Sequence, residues 1–248
     1  MSRRKQSVSR GRVPRPTSKS PKRQRAPRGT GETRIVEAAR QFFAERGFRA
    51  STRELAETLG VTQALLYRYF PTKQALIDRV FEAMVIDRWD PALTENLMAT
   101  EPALEARLTE FYQAFARRFS YAGQRLFLRA GLDDQPLAER YTFPLNERIL
   151  VPVVAVLRRE AGLPSLPRKP MLRSERELVM MLHASIVHLG IRKFVYASPL
   201  PDNLDEHVAF CVHAFLNGAL ATLRKIHREP KRGFLAEPLK AERGGPIE

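Results

Sequence analysis

The chain has 248 residues, with 42 Lys or Arg against 27 Asp or Glu and a formal net charge of +15. That length holds one large or two modest domains. A lone cysteine, Cys211, excludes an intrachain disulfide and a cysteine-rich metal site, and favours a reducing, cytoplasmic setting.

The charge is uneven. Residues 1–28 hold eleven Lys or Arg and no acid, which leaves the remainder near +4. This start, taken as an arm over 1–29, is rich in Arg, Ser and Pro and poor in apolar residues. It cannot bury enough surface to offset chain entropy and is expected to be disordered alone. It lacks the regular apolar residues of an amphipathic presequence, and no apolar signal region follows it.

Three short helices are predicted next. In the first, Ile35, Ala38, Ala39, Phe42 and Phe43 form one apolar stripe, with Glu37, Arg40, Gln41 and Glu45 on the other faces. Gly47 suits a left-handed C-cap, after which Phe48 can fold back onto the stripe. The second helix opens on a capping box, Ser51 with Glu54, and buries Leu55, Ala56 and Leu59. Gly60 ends it and Val61 plugs the core. Thr62 caps the third, Gln63 to Phe70, in which Leu66 and Phe70 face inward and Gln63, Ala64, Tyr67 and Arg68 outward. Pro71 stops it and Thr72 caps a fourth helix. Two helices with a Gly-containing turn in about twenty residues have the compass of a helix-turn-helix, which offers its last helix to the major groove.

From Ile35 to Leu76 the chain resembles the DNA-binding domain of the TetR family of bacterial transcriptional regulators. The resemblance lies in Ala38-Ala39, Phe43, Gly47, Leu55-Ala56, Leu59-Gly60-Val61-Thr62, Leu66-Tyr67, Tyr69-Phe70, Lys73 and Leu76. It implies an all-α chain, with a reader over 30–74 joined to a larger helical ligand-binding and dimerisation domain over 75–228. By position it implies base contacts for Arg53, Gln63, Ala64 and Leu65, and phosphate contacts for Thr52, Thr62, Tyr67, Tyr69 and Lys73. Arg68 joins this DNA-facing set. The chemistry agrees: Arg pairs with guanine, Gln with adenine, and apolar side chains with the thymine methyl. Tyr67 and Lys73 can hold the backbone and fix register. Leu65 departs from the small or polar residue the family often has, and Tyr69 from its His.

The fourth helix, Gln74 to Arg88, turns Leu76, Ile77, Val80, Phe81, Met84 and Val85 inward, and Trp89-Asp90-Pro91 breaks it. Glu101-Pro102 is expected to start the next helix, with Leu104, Leu108, Phe111, Tyr112, Phe115 and Phe119 as its stripe and Gly123 at its close. A short helix at Gln124 to Gly131, a helical stretch at Asp134 to Tyr141 and a longer helix from Leu145 to Ala161 follow. The apolar run Ile149 to Leu157 is too short to span a bilayer and carries Pro152, so no membrane partner is expected. Leu163 to Pro170 reads as a loop. Two long helices, Ser174 to Ala197 and Asn203 to about Arg228, finish the fold, and 229–248 reads as a flexible tail.

On the penultimate helix, Leu178, Leu182, Ser185 and Leu189 form one face, and Val179, His183, Ile186 and Phe194 another. A helix apolar on two sides needs two partners. The resemblance implies that the second is the same helix pair of another subunit, making a homodimer, with Ala184, Ser185, Gly190, Gly218 and Ala219 allowing close approach. It also implies a small-molecule effector, and by analogy a repressor on an inverted-repeat operator. Phe111, Phe115, Phe119, Phe127, Tyr141, Met181 and His183 are the candidate lining of its pocket. Arg118, Arg129 and His188 are cations near that region that suit an acidic apolar ligand.

No catalytic residue, metal site or cofactor is expected. His183 and His188 are five apart and do not align on one helical face, and no HExxH, GxSxG or phosphate-cradling loop occurs. The competing reading is a nonspecific nucleic-acid architectural protein driven by the basic arm. On that reading, deleting residues 1–28 abolishes binding and base sequence barely matters.

Overall fold

The computed structural model describes residues 28–85 and 89–228. The arm expected over 1–29 lies outside them except for its last two residues, and the expected tail over 229–248 lies outside entirely. The described residues form an all-α fold: α1 (Arg28–Arg46), α2 (Thr52–Leu59), α3 (Gln63–Tyr69), α4 (Lys73–Val85), α5 (Pro91–Met98), α6 (Leu104–Ala116), α7 (Tyr121–Asp133), α8 (Gln135–Glu160), α9 (Arg173–Phe194) and α10 (Leu204–Arg228).

Two apolar cores organise them. The first joins Ile35, Ala39 and Phe43 of α1 to Leu55 of α2, Leu66 of α3 and Leu76, Val80 and Phe81 of α4. It does not stop at residue 74, where the reader was expected to end: Leu126 and Ala130 of α7 and Leu137 and Tyr141 of α8 belong to the same cluster. Phe81 is the hub, with Phe48, Phe127 and Tyr141 rings at 6.1, 5.6 and 5.1 Å. The second core packs α5, α6, the C-terminal half of α8, α9 and α10, through Leu97, Leu108, Phe111, Tyr112, Val153, Leu157, Ile186 and Val212.

Several boundaries differ from the sequence reading, each because of a tertiary contact. Helix α1 begins at Arg28, inside the expected arm. Glu32 pairs with Arg79 of α4 at 3.6 Å, and a Cβ on Gly31 would come within 2.5 Å of the Tyr69 hydroxyl, so this first turn is held against the head. Trp89-Asp90-Pro91 does not only break a helix. Asp90 accepts from the Ala92 amide at 3.0 Å and caps α5, which the sequence reading missed. Glu101-Pro102 is a cis peptide ahead of α6 rather than its first turn. The segment before α6 is gripped by the buried Arg107, which donates to the Leu97 carbonyl at 2.5 Å and the Pro102 carbonyl at 2.7 Å.

Gly123 does not close a helix. It lies in the first turn of α7, where the Ser120 hydroxyl accepts from its amide at 3.2 Å. The two predicted helices over 134–161 are one 26-residue helix that runs through Pro152. An interior proline costs about 3 kcal/mol. Around it Ile149, Leu150, Val153, Val154, Val156 and Leu157 are all buried, each contributing roughly 1.5–3 kcal/mol, which outweighs the lost bond.

The loop after α8 is stitched by a charge pair. Arg158 and Glu175 are both fully buried, joined at 2.7 and 2.5 Å. Arg158 also donates to the carbonyls of Pro164, Lys169 and Pro170, while Glu175 accepts from the Leu172 amide and from His227 on α10. Burial pushes the Glu175 carboxyl up, and the bonds from Arg158, Leu172 and His227 outweigh it and hold it below the usual carboxylate range.

On α9, most of both stripes turns into the chain's own body: Val179, Leu182, His183, Ile186 and Leu189 are buried, while Ser185 of the first stripe is exposed. Two of the small residues expected at a partner, Gly190 and Ala219, are buried there too, and a Cβ on Gly190 would meet the Gln124 side chain at 2.7 Å. The outward face is a third one. Met181 on α9 is 69% exposed and Phe210 on α10 is 67% exposed, with Ser185 and Gly218 also exposed; the exposed Ala184 lines a cavity instead.

Candidate nucleic-acid interface and ligand cavity

The short helix α3 is positioned by its two ends and two anchors. Ser51 and Glu54 form the expected capping box on α2, and Gly60 takes φ +64°, the left-handed turn that lets the chain reverse. The Ser51 amide and hydroxyl lower the Glu54 pKa. The Thr62 hydroxyl accepts from the Leu65 amide at 3.2 Å and starts α3. Leu66 and Phe70 then sink into the first core. Val61 is half-buried rather than a plug of that core.

With the inner face anchored, Gln63, Ala64, Tyr67 and Arg68 face out, and Leu65 and Tyr69 are half-buried. Arg53 is exposed beside them on α2, loosely paired with Glu57 at 3.1 Å. Thr62 is exposed and Lys73 half-buried at the start of α4. The Arg68 guanidinium lies 5.5 Å from the Tyr69 ring. Thr52 differs from its neighbours. It is 6% exposed, and its hydroxyl meets the Tyr67 hydroxyl at 2.9 Å and accepts from the Gln63 side-chain Nε2 at 3.1 Å. That hydroxyl is committed inside the protein, so Thr52 holds two outward residues in place rather than standing open itself.

A second feature lies between the two cores. A cavity of about 400 Å³ is lined by Arg40 of α1, Met84 and Val85 of α4, Trp89, Phe115 of α6, Arg118, Phe119 and Ser120 between α6 and α7, Gly123, Gln124, Phe127 and Leu128 of α7, Thr142 of α8, and Met180, His183, Ala184, Val187 and Ile191 of α9. Of the predicted lining, Phe115, Phe119, Phe127 and His183 are there. Phe111 is not: it fills the second core against Trp89 and Tyr112. Tyr141 stacks on Phe81 and donates to the Asp78 carbonyl at 3.1 Å, its pKa pushed up to about 12 by burial and the nearby Asp78 and Glu82. Met181 points outward one position beyond the lining residue Met180. A helical face one residue off register separates cavity from surface.

Of the three expected cations only Arg118 lines the cavity. Arg129 donates to the Ala44 and Glu45 carbonyls at the end of α1, and Arg125 joins it on Ala44. His188 is exposed and packs edgewise on Tyr196. Arg40, which lies off the apolar stripe of α1, is 8% exposed. It is paired with Glu37 at 2.5 Å and reaches Ser120 at 3.4 Å. It sits on the polar side of α1, and only the arrival of α7 covers it. His183 is buried with its ring 5.2 Å from Phe115, and burial lowers its pKa to about 4, so it is neutral. Its Nδ1, Nη1 of Arg118 and the Tyr112 hydroxyl are buried without hydrogen-bond partners among the described residues.

Among the described residues no group of three or more His, Cys, Asp or Glu can hold a metal, and no helix is long and apolar enough to cross a membrane.

Residues 35–80 match the model of a family described as bacterial regulatory proteins, tetR family. Over 85 residues the chain is 29% identical to the HTH-type transcriptional repressor KstR2 of Rhodococcus jostii (strain RHA1), which covers 33% of this chain and 42% of that protein. The chain thus spans less than half the length of this curated relative. Among solved structures, one assigned to the TetR family of transcriptional regulators, from Mesorhizobium loti MAFF303099, superposes with a TM-score of 0.55 at 16% identity, covering 78% of this chain and 98% of that one. GusR of Salmonella enterica gives 0.53 at 23% identity, over 77% and 96% of the two chains. At these identities the structural likeness is one of fold.

Proposed function

We propose that this chain, whose residues 35–80 match the tetR family of bacterial regulatory proteins, is a member of that family and a ligand-responsive, DNA-binding transcriptional regulator that acts as a homodimer. In this reading it represses from an inverted-repeat operator and a small apolar ligand releases it. The observation that carries the proposal is the outward face of α3. Gln63, Ala64, Tyr67 and Arg68 are exposed together, while Leu66 and Phe70 pin the helix from behind and Thr52 sets the angle of Tyr67 and Gln63. Gln63 and Arg53 supply base contacts, with Ala64 and Leu65 against thymine methyls. Thr62, Tyr67, Tyr69 and Lys73 hold phosphates, and the basic start of the chain adds salt-dependent affinity.

Dimerisation through the Met181 and Phe210 face of α9 and α10 would set two α3 helices about one DNA turn, roughly 34 Å, apart. The cavity supports control of that spacing because head elements form part of its wall: Arg40 of α1 and Met84 and Val85 of α4. Helix α7 forms another wall, and its Arg125 and Arg129 grip the carbonyl end of α1, where cations are favoured. A ligand that favours one position of α7 therefore biases the head. A coupling of about 1–3 kcal/mol lowers DNA affinity roughly 5–150-fold.

Selecting random duplexes with the purified full chain tests the proposal. An enriched inverted repeat is expected, with Gln63→Ala relaxing preference at one position of each half-site. Sequence-blind binding that survives Gln63→Ala and Tyr67→Ala but vanishes when residues 1–28 are deleted would replace it with the architectural reading.

A further inference from the structure

We propose that the cavity takes a hydrocarbon monocarboxylate, its anionic head held by Arg118 and its apolar body lying along Phe115, Phe119, Phe127 and Val187. The assignment rests on reading this cavity as the effector site. The argument begins from charge. Among the described residues the lining includes two cations, Arg40 and Arg118, and no Asp or Glu. Arg40 is already answered by a two-point pairing with Glu37, at 2.5 and 3.1 Å. Arg118 is not answered. Its Nη1 is buried without a partner among the described residues, and its guanidinium rests 5.9 Å from the centre of the Trp89 ring.

A buried N–H with no acceptor is costly, and most of all on a charged group. A carboxylate removes that cost with charge-assisted, planar bonds that match the guanidinium fork. His183 offers a second unpartnered atom, Nδ1, on a ring 5% exposed and fixed between Tyr112 and Phe115. Being neutral, it adds a hydrogen bond to a ligand oxygen without a second positive charge. One unanswered cation matches one negative charge, and a doubly charged phosphate would be left half-neutralised in an apolar site. The aromatic and aliphatic remainder of the wall then selects a hydrocarbon body.

The sole tryptophan of the chain, Trp89, lines this cavity and reports its occupancy. Its fluorescence in the full-length protein is titrated with octanoate, decanoate, dodecanoate and 4-phenylbutyrate, and with 1-decanol and decylamine. Decanoate is expected to give a saturable change, decanol to bind on the order of 10- to 100-fold more weakly, and decylamine not to bind. Arg118→Gln should bring decanoate down to the decanol level and leave decanol unchanged, and Arg118→Lys should recover part of the loss. Circular dichroism melts check that both variants fold. Equal binding of decanol or decylamine, no effect of Arg118→Gln, or no saturable response to any of the four carboxylates overturns the proposal. The titration needs no DNA. A failed duplex selection beside a positive titration removes the regulatory reading alone, and the reverse outcome removes the ligand class alone.

Discussion

Thr52→Val exchanges a hydroxyl for a methyl of nearly equal size at a site 6% exposed, so shape is kept and chemistry lost. Two hydrogen bonds disappear, to Tyr67 at 2.9 Å and from Gln63 at 3.1 Å. At about 0.5–1.5 kcal/mol each, the ceiling on lost folding stability is about 3 kcal/mol. Tyr67 is 40% exposed and Gln63 is exposed as well, so both regain partners in water, and the expected folding loss is about 1 kcal/mol. The larger effect falls on DNA binding. Two side chains that were pre-set must be ordered on contact, at about 0.5–1.5 kcal/mol each, which weakens affinity roughly 5- to 150-fold. Fluorescence anisotropy with the selected operator at one fixed salt concentration measures this, beside urea unfolding for stability. The decisive comparison is a double-mutant cycle with Tyr67→Phe. If Thr52 acts by holding Tyr67, the two substitutions remove one interaction and couple by about 1 kcal/mol. Effects that add within about 0.3 kcal/mol, or a Thr52→Ser variant as weak as Thr52→Val, refute the positioning role and return Thr52 to a direct contact.

Glu175→Gln leaves Arg158 buried without its counter-charge and should cost about 3–5 kcal/mol in urea unfolding. Because the folded Glu175 pKa lies below its unfolded value, its contribution is present above the ordinary carboxylate range and fades as pH falls through it, so Glu175→Gln should flatten the acid limb of stability. His183 has a folded pKa near 4 against an unfolded value near 6.5, so the unfolded chain binds the extra proton first. Stability is therefore fully present above about pH 6.5 and lost steadily down to about pH 4, by at most about 3 kcal/mol, and His183→Phe should remove that part of the slope in pH-dependent melts. Gly31→Ala places a Cβ within 2.5 Å of the Tyr69 hydroxyl; it should weaken operator binding and gain no stability. Gly131→Ala, with nothing within 4 Å, should gain about 0.5–1 kcal/mol, and equal gains at both sites would contradict the close packing. Phe210→Glu should shift sedimentation from dimer to monomer with circular dichroism unchanged; a dimer that persists would move the interface off this face.

Local chemistry was readable wherever a few neighbouring residues decide the outcome. The capping box of Ser51 and Glu54, the left-handed Gly47 and Gly60, the Thr62 cap, the outward quartet on α3 and the return of Phe48 onto Phe43 all follow from spacings of three or four residues. The all-α fold, the helix-turn-helix and three of the four Phe or Trp rings of the cavity wall, Phe115, Phe119 and Phe127, were legible on the same ground. Contacts between segments far apart in the chain were not. That Arg40 is a wall residue depends on α7 arriving some eighty positions later, and that Trp89 faces a cavity depends on its packing against Phe111 of α6. Pro152 reads as a breaker until the apolar side chains around it are seen buried in one shared core, and no local rule supplies that energy. Met180 and Met181 share composition and helix, and only the packing of α9 against its neighbours turns one inward and the other to the surface. Sequence alone determines which residues can start, stop and stripe a helix, because those energies are local; the rotation of each helix against the others is set by the burial of every stripe at once, and it decided where the cavity opens and which cation is left inside it.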